Sequence, residues 1–295
     1  MELKDIIEVL LSNKLGLLTY CLSLISMITI FFSRKSACFL LLFSIISGAV
    51  AGRLNSTGAL VILFATALFF LTKISKNKYL RPILIFASLL VAVMFLLHLV
   101  PGVNNWLVAS NLAISKNSYI YNLYFNFDSP TITLILAVLL CPDIDKKSNY
   151  RKIITQSIMP VVLAIIVISS LSILFGLVRF DPKIMPLFII WAVNNMFFTC
   201  CTEEIVFRGW LQNVLSSICS NLKYSGYIAL ALASIAFGLY HYYRGGNVYM
   251  CLSMIAGIFY GYAYLRTKKV QSSIIVHFSL NTAHFLGFTY PALII

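Results

Sequence analysis

Acidic residues are scarce in this chain: nine Asp and Glu among 295 residues, against 22 Lys and Arg. Charge of either sign amounts to 11%, where a soluble domain carries about 25%. With 60% hydrophobic residues and a mean hydropathy of +0.93, the chain cannot hide its apolar surface in water, which excludes a soluble globule. None of the seven cysteines stands in a CxxC or a paired extracellular spacing. Six of them (Cys21, Cys38, Cys200, Cys201, Cys219, Cys251) lie in apolar runs and Cys141 ends one, so they read as small buried hydrophobes. There is no HExxH helix for a zinc protease, no Gly-x-Ser-Gly for an intramembrane serine nucleophile, and no helical Gly-Asp for an aspartyl dyad. A signal-peptide cleavage pattern is also missing. Met1–Lys14 is polar and amphipathic, and Leu15–Phe32 reads as a retained first span.

What is abundant is long apolar sequence. Leu15–Phe32, Pro82–Val100 and Ile153–Val178 reach or approach the ~20 residues that cross a hydrocarbon core, and helices satisfy their own backbone there. Nine or ten helical segments follow, near 15–32, 37–52, 58–72, 80–99, 130–141, 153–178, 184–219, 226–243, 248–265 and 270–290. The expected fold is all-α: a multi-pass transmembrane helical bundle of about 8–10 membrane helices with an intramembrane polar site. The formal charge of +13 comes from clusters between the apolar runs: Arg34-Lys35, Lys73 to Arg81, Lys146 to Lys152 and Arg266 to Lys269. That is the signature of cytoplasmic loops, not a basic stripe for nucleic acid. Residues 142–152 and 266–269 then fall in the cytoplasm, and 101–129, 179–185 and 244–247 outside. The 101–129 loop, rich in Asn, Tyr and Phe, reads as an interfacial aromatic belt or as a cover over the site.

Ionisable groups inside apolar runs mark functional sites by default, because burying them is costly. Glu203, Glu204, His241 and His277 are such groups. On an α-helix Glu204 and Arg208 share a face at i, i+4, while Glu203 is turned about 100° away. The flanking residues are nearly all apolar, which argues against a surface ion pair. A carboxylate there suits a group that accepts and later returns a proton. If 184–219 and 226–243 form an antiparallel hairpin turning at Ser220–Ser225, Glu203 and His241 sit at one depth, about 24 Å from the turn at 1.5 Å per residue. Small residues from Gly226 to Gly238 permit close helix approach. His277 and Asn281 share a helix face and could both donate to an oxyanion, with His284 as an accessory group; a polar helix–helix contact is the alternative for this pair.

Glu203-Glu204-x-x-x-Arg208-Gly209-Trp210-Leu211-Gln212, Phe237-x-x-x-His241 and His277-x-x-x-Asn281 together resemble the three motifs of the CAAX-processing and bacteriocin-processing (CPBP) intramembrane endopeptidases. Type II CAAX prenyl endopeptidases are among them. The resemblance covers about residues 184–290. It implies a core over 151–295 preceded by accessory transmembrane helices over 1–150. It also implies that Glu203 acts as general base on a water assisted by His241, that His277 and Asn281 form the oxyanion hole, and that Glu204 and Arg208 orient the site. No cofactor is required on that reading; the alternative is zinc held by Glu203, His241 and His277, since His and carboxylate suit that metal.

The expectation is therefore an intramembrane endopeptidase in a bacterial cytoplasmic membrane. Its partners would be the lipid bilayer and a membrane-associated protein or peptide substrate, with no nucleic acid. The rival is a non-enzymatic immunity or peptide-binding protein using the same pocket. A transporter would need broken helices near the midplane, and Gly176, Pro182 and Pro186 fall at a segment end.

Overall fold

A computed structural model describes residues 3–294. The first helices are α1 (Leu3–Ser12), α2 (Lys14–Thr29), α3 (Arg34–Val50), α4 (Ser56–Ile74) and α5 (Leu80–Leu96). After them come strands β1 (Trp106–Leu112) and β2 (Tyr121–Phe125), then α6 (Asp128–Leu140) and α7 (Tyr150–Leu174). A helical rod follows, made of α8 (Phe188–Asn194), π1 (Asn195–Cys200), α9 (Cys201–Glu204), π2 (Ile205–Gln212) and α10 (Asn213–Ile218). The chain ends with α11 (Ser225–Thr267) and α12 (Val270–Gly287). Polar caps set several starts: the side chains of Asn13, Ser33, Asn55 and Asn149 each accept a first-turn backbone N–H, satisfying donors that a helix leaves open.

The helical membrane fold stands, with a small sheet beside its helices. Of the eight to ten membrane helices expected, three among the described residues are long and apolar enough to cross: α4, α7 and α11. They become four if α1 and α2, bent 98° apart, make one broken span. With 16, 17 and 17 residues, α2, α3 and α5 lie at the lower edge of the ~17–25 residues that membrane helices use. The loop read as an aromatic belt or as a cover over the site holds the two-stranded sheet β1–β2. Its aromatic and β-branched residues pair as strands, which is the other way to satisfy backbone groups.

The chain forms two compact units. The first comprises Met1–Ala109, Leu123–Lys147 and Phe197–Val206, with Met1 and Glu2 of the expected amphipathic arm outside the described residues. Its helices are joined by hydroxyl contacts, Thr19 to Ser47 and Thr72 to Ser88, both at 2.8 Å. Such contacts, with small residues, replace the hydrophobic drive that lipid removes. Gly48 on α3 faces the buried Phe127 ring, where a Cβ would come within 2.7 Å.

The second unit comprises Ser110–Asn122, Ser148–Met196 and Phe207–Ile295. Here α7, α11 and α12 pack on one another and α10 packs on α11. On α7, Ile154, Ile158, Val162 and Ile166 are exposed, an apolar face suited to lipid. Beyond α12 the backbone of residues 288–294 pairs with two loops, through bridges Phe180–Phe288 and Ser118–Leu293 and through Thr289 N–H donating to Arg179 O at 2.9 Å.

Candidate active site

The rod that carries the glutamates is not a plain α-helix. Two π stretches, Asn195–Cys200 and Ile205–Gln212, flank a four-residue α segment holding Glu203 and Glu204. π-Helix closes i→i+5 bonds and is frequent at functional sites. One consequence corrects the helical-wheel argument. Through Ile205–Gln212 the face-sharing interval lengthens from four residues toward five, so a 100° step does not fix which carboxylate shares a face with Arg208.

Glu203 and Glu204 belong to the first unit. They are 1% and 0% exposed, which removes the surface ion-pair alternative. Their helix α9 packs against α6, and the Thr202 hydroxyl donates back to Thr199 O at 2.8 Å.

Arg208, His241, His277 and Asn281 belong to the second unit, where a cluster of rings gathers three of them. The Phe237 ring is the centre. His241 lies 4.4 Å from it and His277 5.9 Å, edge to face. The Arg208 guanidinium sits 4.3 Å above the same ring and 5.3 Å from Tyr260. A buried guanidinium gains from such ring faces, and Arg208, 0% exposed, also donates to Gly257 O at 3.1 Å. Phe207 meets Phe237 at 5.2 Å.

His241 is buried, and its Nδ1 lies 2.8 Å from Phe237 O. Because a carbonyl only accepts, Nδ1 carries the proton and Nε2 is the acceptor of the neutral ring. His277 lies flat on Tyr260, 4.5 Å away with planes 14° apart. Asn281 donates from Nδ2 to Asn195 Oδ1 at 3.1 Å. His284, expected as an accessory, instead donates from Nε2 to Thr289 O at 3.1 Å and ties down the C-terminal segment.

Asn195 and Tyr260 are neighbours of these residues that sequence reasoning did not single out, and Gln212 entered it only as the end of the first motif. Two amides in a row, Asn194-Asn195, inside an apolar stretch were the available signal; Tyr260 had none. Among the described residues no group of three or more His, Cys, Asp or Glu is placed to hold a metal.

Residues 185–283 match the family described as type II CAAX prenyl endopeptidase Rce1-like. Over this segment the chain is similar to that protease family. No curated protein and no solved structure matches the chain. The Rce1-like segment starts three residues before α8 and ends inside α12, so all six expected site residues lie within it. Its apolar helices, together with this likeness to a protease family, make the chain an integral membrane protein.

Proposed function

We propose that this protein is an intramembrane endopeptidase of a bacterial cytoplasmic membrane, with residues 151–295 as its core, cleaving a membrane-associated protein or peptide through a water activated by glutamate and histidine. The supporting observation is that Glu203, Glu204, Arg208, His241 and His277, each 5% exposed or less, all fall inside the Rce1-like segment. Glu203 takes a proton from the water while His241 Nε2 accepts its second hydrogen and aims it. The water oxygen attacks the peptide carbonyl carbon. His277 and Asn281 donate to the resulting oxyanion, the charge that preorganised donors stabilise most. Glu203 then returns its proton to the departing amine, the C–N bond breaks, and a carboxylic acid and an amine remain, which exchange a proton to become carboxylate and ammonium. Glu204 and Arg208 orient the carboxylate–histidine pair.

The test compares purified wild-type protein with Glu203→Gln on a quenched-fluorescence peptide ending in a farnesylated CAAX sequence, alongside membrane proteomics of strains carrying each form. Loss of a general base costs about 10²–10⁴-fold, so cleavage and a set of cellular N-termini should vanish together in the variant. Unchanged N-termini and an unchanged cellular phenotype would point to a peptide-binding protein that does no chemistry.

A further inference from the structure

The stretch Gly257–Gly261 on α11 lies outside all three motifs, yet other parts of the second unit converge on it. From π2, Arg208 donates to Gly257 O and Gln212 to Gly261 O, both at 3.1 Å. Neither glycine has room for more: a Cβ would stand 3.0 Å from Arg208 Nη2 at position 257 and 2.9 Å from Gln212 Oε1 at position 261. From α12, the Ser273 hydroxyl donates to Tyr260 O at 2.9 Å, one helical turn before His277. From the first half of α11, the Phe237 ring meets the Tyr260 ring edge-on at 5.8 Å. The backbone on both sides of Tyr260 is thus pinned, and its ring, 2% exposed, has a fixed seat. That ring is the surface on which the His277 imidazole lies.

We propose that Tyr260 is a positioning residue that sets the plane of the His277 imidazole, and with it the direction in which His277 donates to the oxyanion. The proposal rests on the reading of His277 as an oxyanion donor. An imidazole on a helix swings about its own side-chain torsions. A flat ring stacked 4.5 Å away holds one plane, whereas an aliphatic side chain of similar bulk fills the space without selecting any. A packing residue would tolerate leucine here; a positioning residue needs an aromatic face.

Two measurements on the full-length protein in detergent test this. The first is turnover of the quenched farnesylated CAAX peptide. Tyr260→Leu should lower kcat by about 10–100-fold, the effect of misplacing a reacting geometry by ~1 Å, with KM within about twofold. Tyr260→Phe should retain kcat within about twofold. Equal kcat in the two variants overturns the proposal. The second needs no activity: histidine-labelled wild-type protein is examined by NMR, with His277 assigned through His277→Asn among four histidines. Its ring protons should be shifted upfield by the stacked face, a shift kept in Tyr260→Phe. Unshifted His277 resonances in the wild type overturn the proposal even if Tyr260→Leu fails to fold. Should the wild type not cleave the peptide while the upfield shift is present, the endopeptidase reading fails on this substrate and the positioning of His277 by Tyr260 stands.

Discussion

A carboxylate buried to 2% exposure stays in place only if its hydrogen bonds are met, and Asp128 shows what that takes. Its two oxygens lie 3.0 Å from His98 Nδ1. Asn105 donates to one at 3.0 Å and the Ser129 backbone N–H to the other at 2.7 Å. Bonds to a charged group contribute about 1.5–3 kcal/mol each. Asp128→Ala should therefore destabilise the protein by about 2–4 kcal/mol, because Asn105 and the α6 terminus lose a partner together. His98→Ala should cost less, since the His98 side chain is about a third exposed. Urea unfolding in detergent, followed by tryptophan fluorescence, measures both; equal costs would mean that the histidine, not the carboxylate, organises the knot. This cluster also marks how far residue-level reading reaches. Glu203, Glu204, His241 and His277 were legible because a titratable group in an apolar run is conspicuous. His98 ends such a run too, but its position at a loop boundary disguised it. Tyr260 was illegible because aromatics are ordinary in membrane helices, and Asn195 showed only as one of two adjacent amides, a common helix–helix contact there.

Helices were legible wherever length and apolar content agreed, and their starts wherever Asn or Ser capped them. The π stretches were not, because i→i+5 bonding leaves no trace in composition or in an eleven-residue periodicity window. The break in α11 was half visible. Segments ending at 243 and resuming at 248 bracket the break at Gly245 and Gly246, where backbone angles leave the helix. Gly246 has φ +65° and ψ −158°, a region open essentially to glycine alone and costing about 1–3 kcal/mol otherwise. Gly246→Ala should thus destabilise by about that amount although nothing lies within 4 Å of its would-be Cβ. Gly287→Ala, at a site equally open and without positive φ, should stay within about 0.5 kcal/mol of wild type. Thermal unfolding of the two variants decides the matter; similar losses would show that conformation at 246 is not what sustains the break. Since His241 lies one turn before this break, straightening it should also disturb His241.

Across the whole molecule, the alternation of basic loops is matched by ties between loops assigned to the same side. Arg34 pairs with Asp145 at 2.7 Å, both in segments read as cytoplasmic. Ser115 bonds the Asp181 carboxylate, joining 101–129 to 179–185, both read as external, and Asn55 N–H donates to Gly102 O and Asn104 N–H to Arg53 O, tying the α3–α4 turn to the same loop. The two aspartates give this sidedness a pH signature. Hydrogen bonds from Ser115 and then Lys183 hold the Asp181 carboxyl below its ordinary range, and the Arg34 guanidinium does the same for Asp145. A depressed carboxylate contributes stability that is present above the unfolded value near pH 4 and lost as pH falls through the folded one. Between pH 7 and 5 neither tie should change; below about pH 4 both should loosen. In sealed vesicles the sides separate. Acidifying the solution that bathes the 101–129 loop should free a spin label at Lys116→Cys and leave one at Lys147→Cys unmoved, and acidifying the opposite side should reverse the pattern. The Lys116→Cys label should lose its pH response when Asp181→Asn is added. Electron paramagnetic resonance reads both labels, and simultaneous mobilisation from a single side would refute the assigned topology.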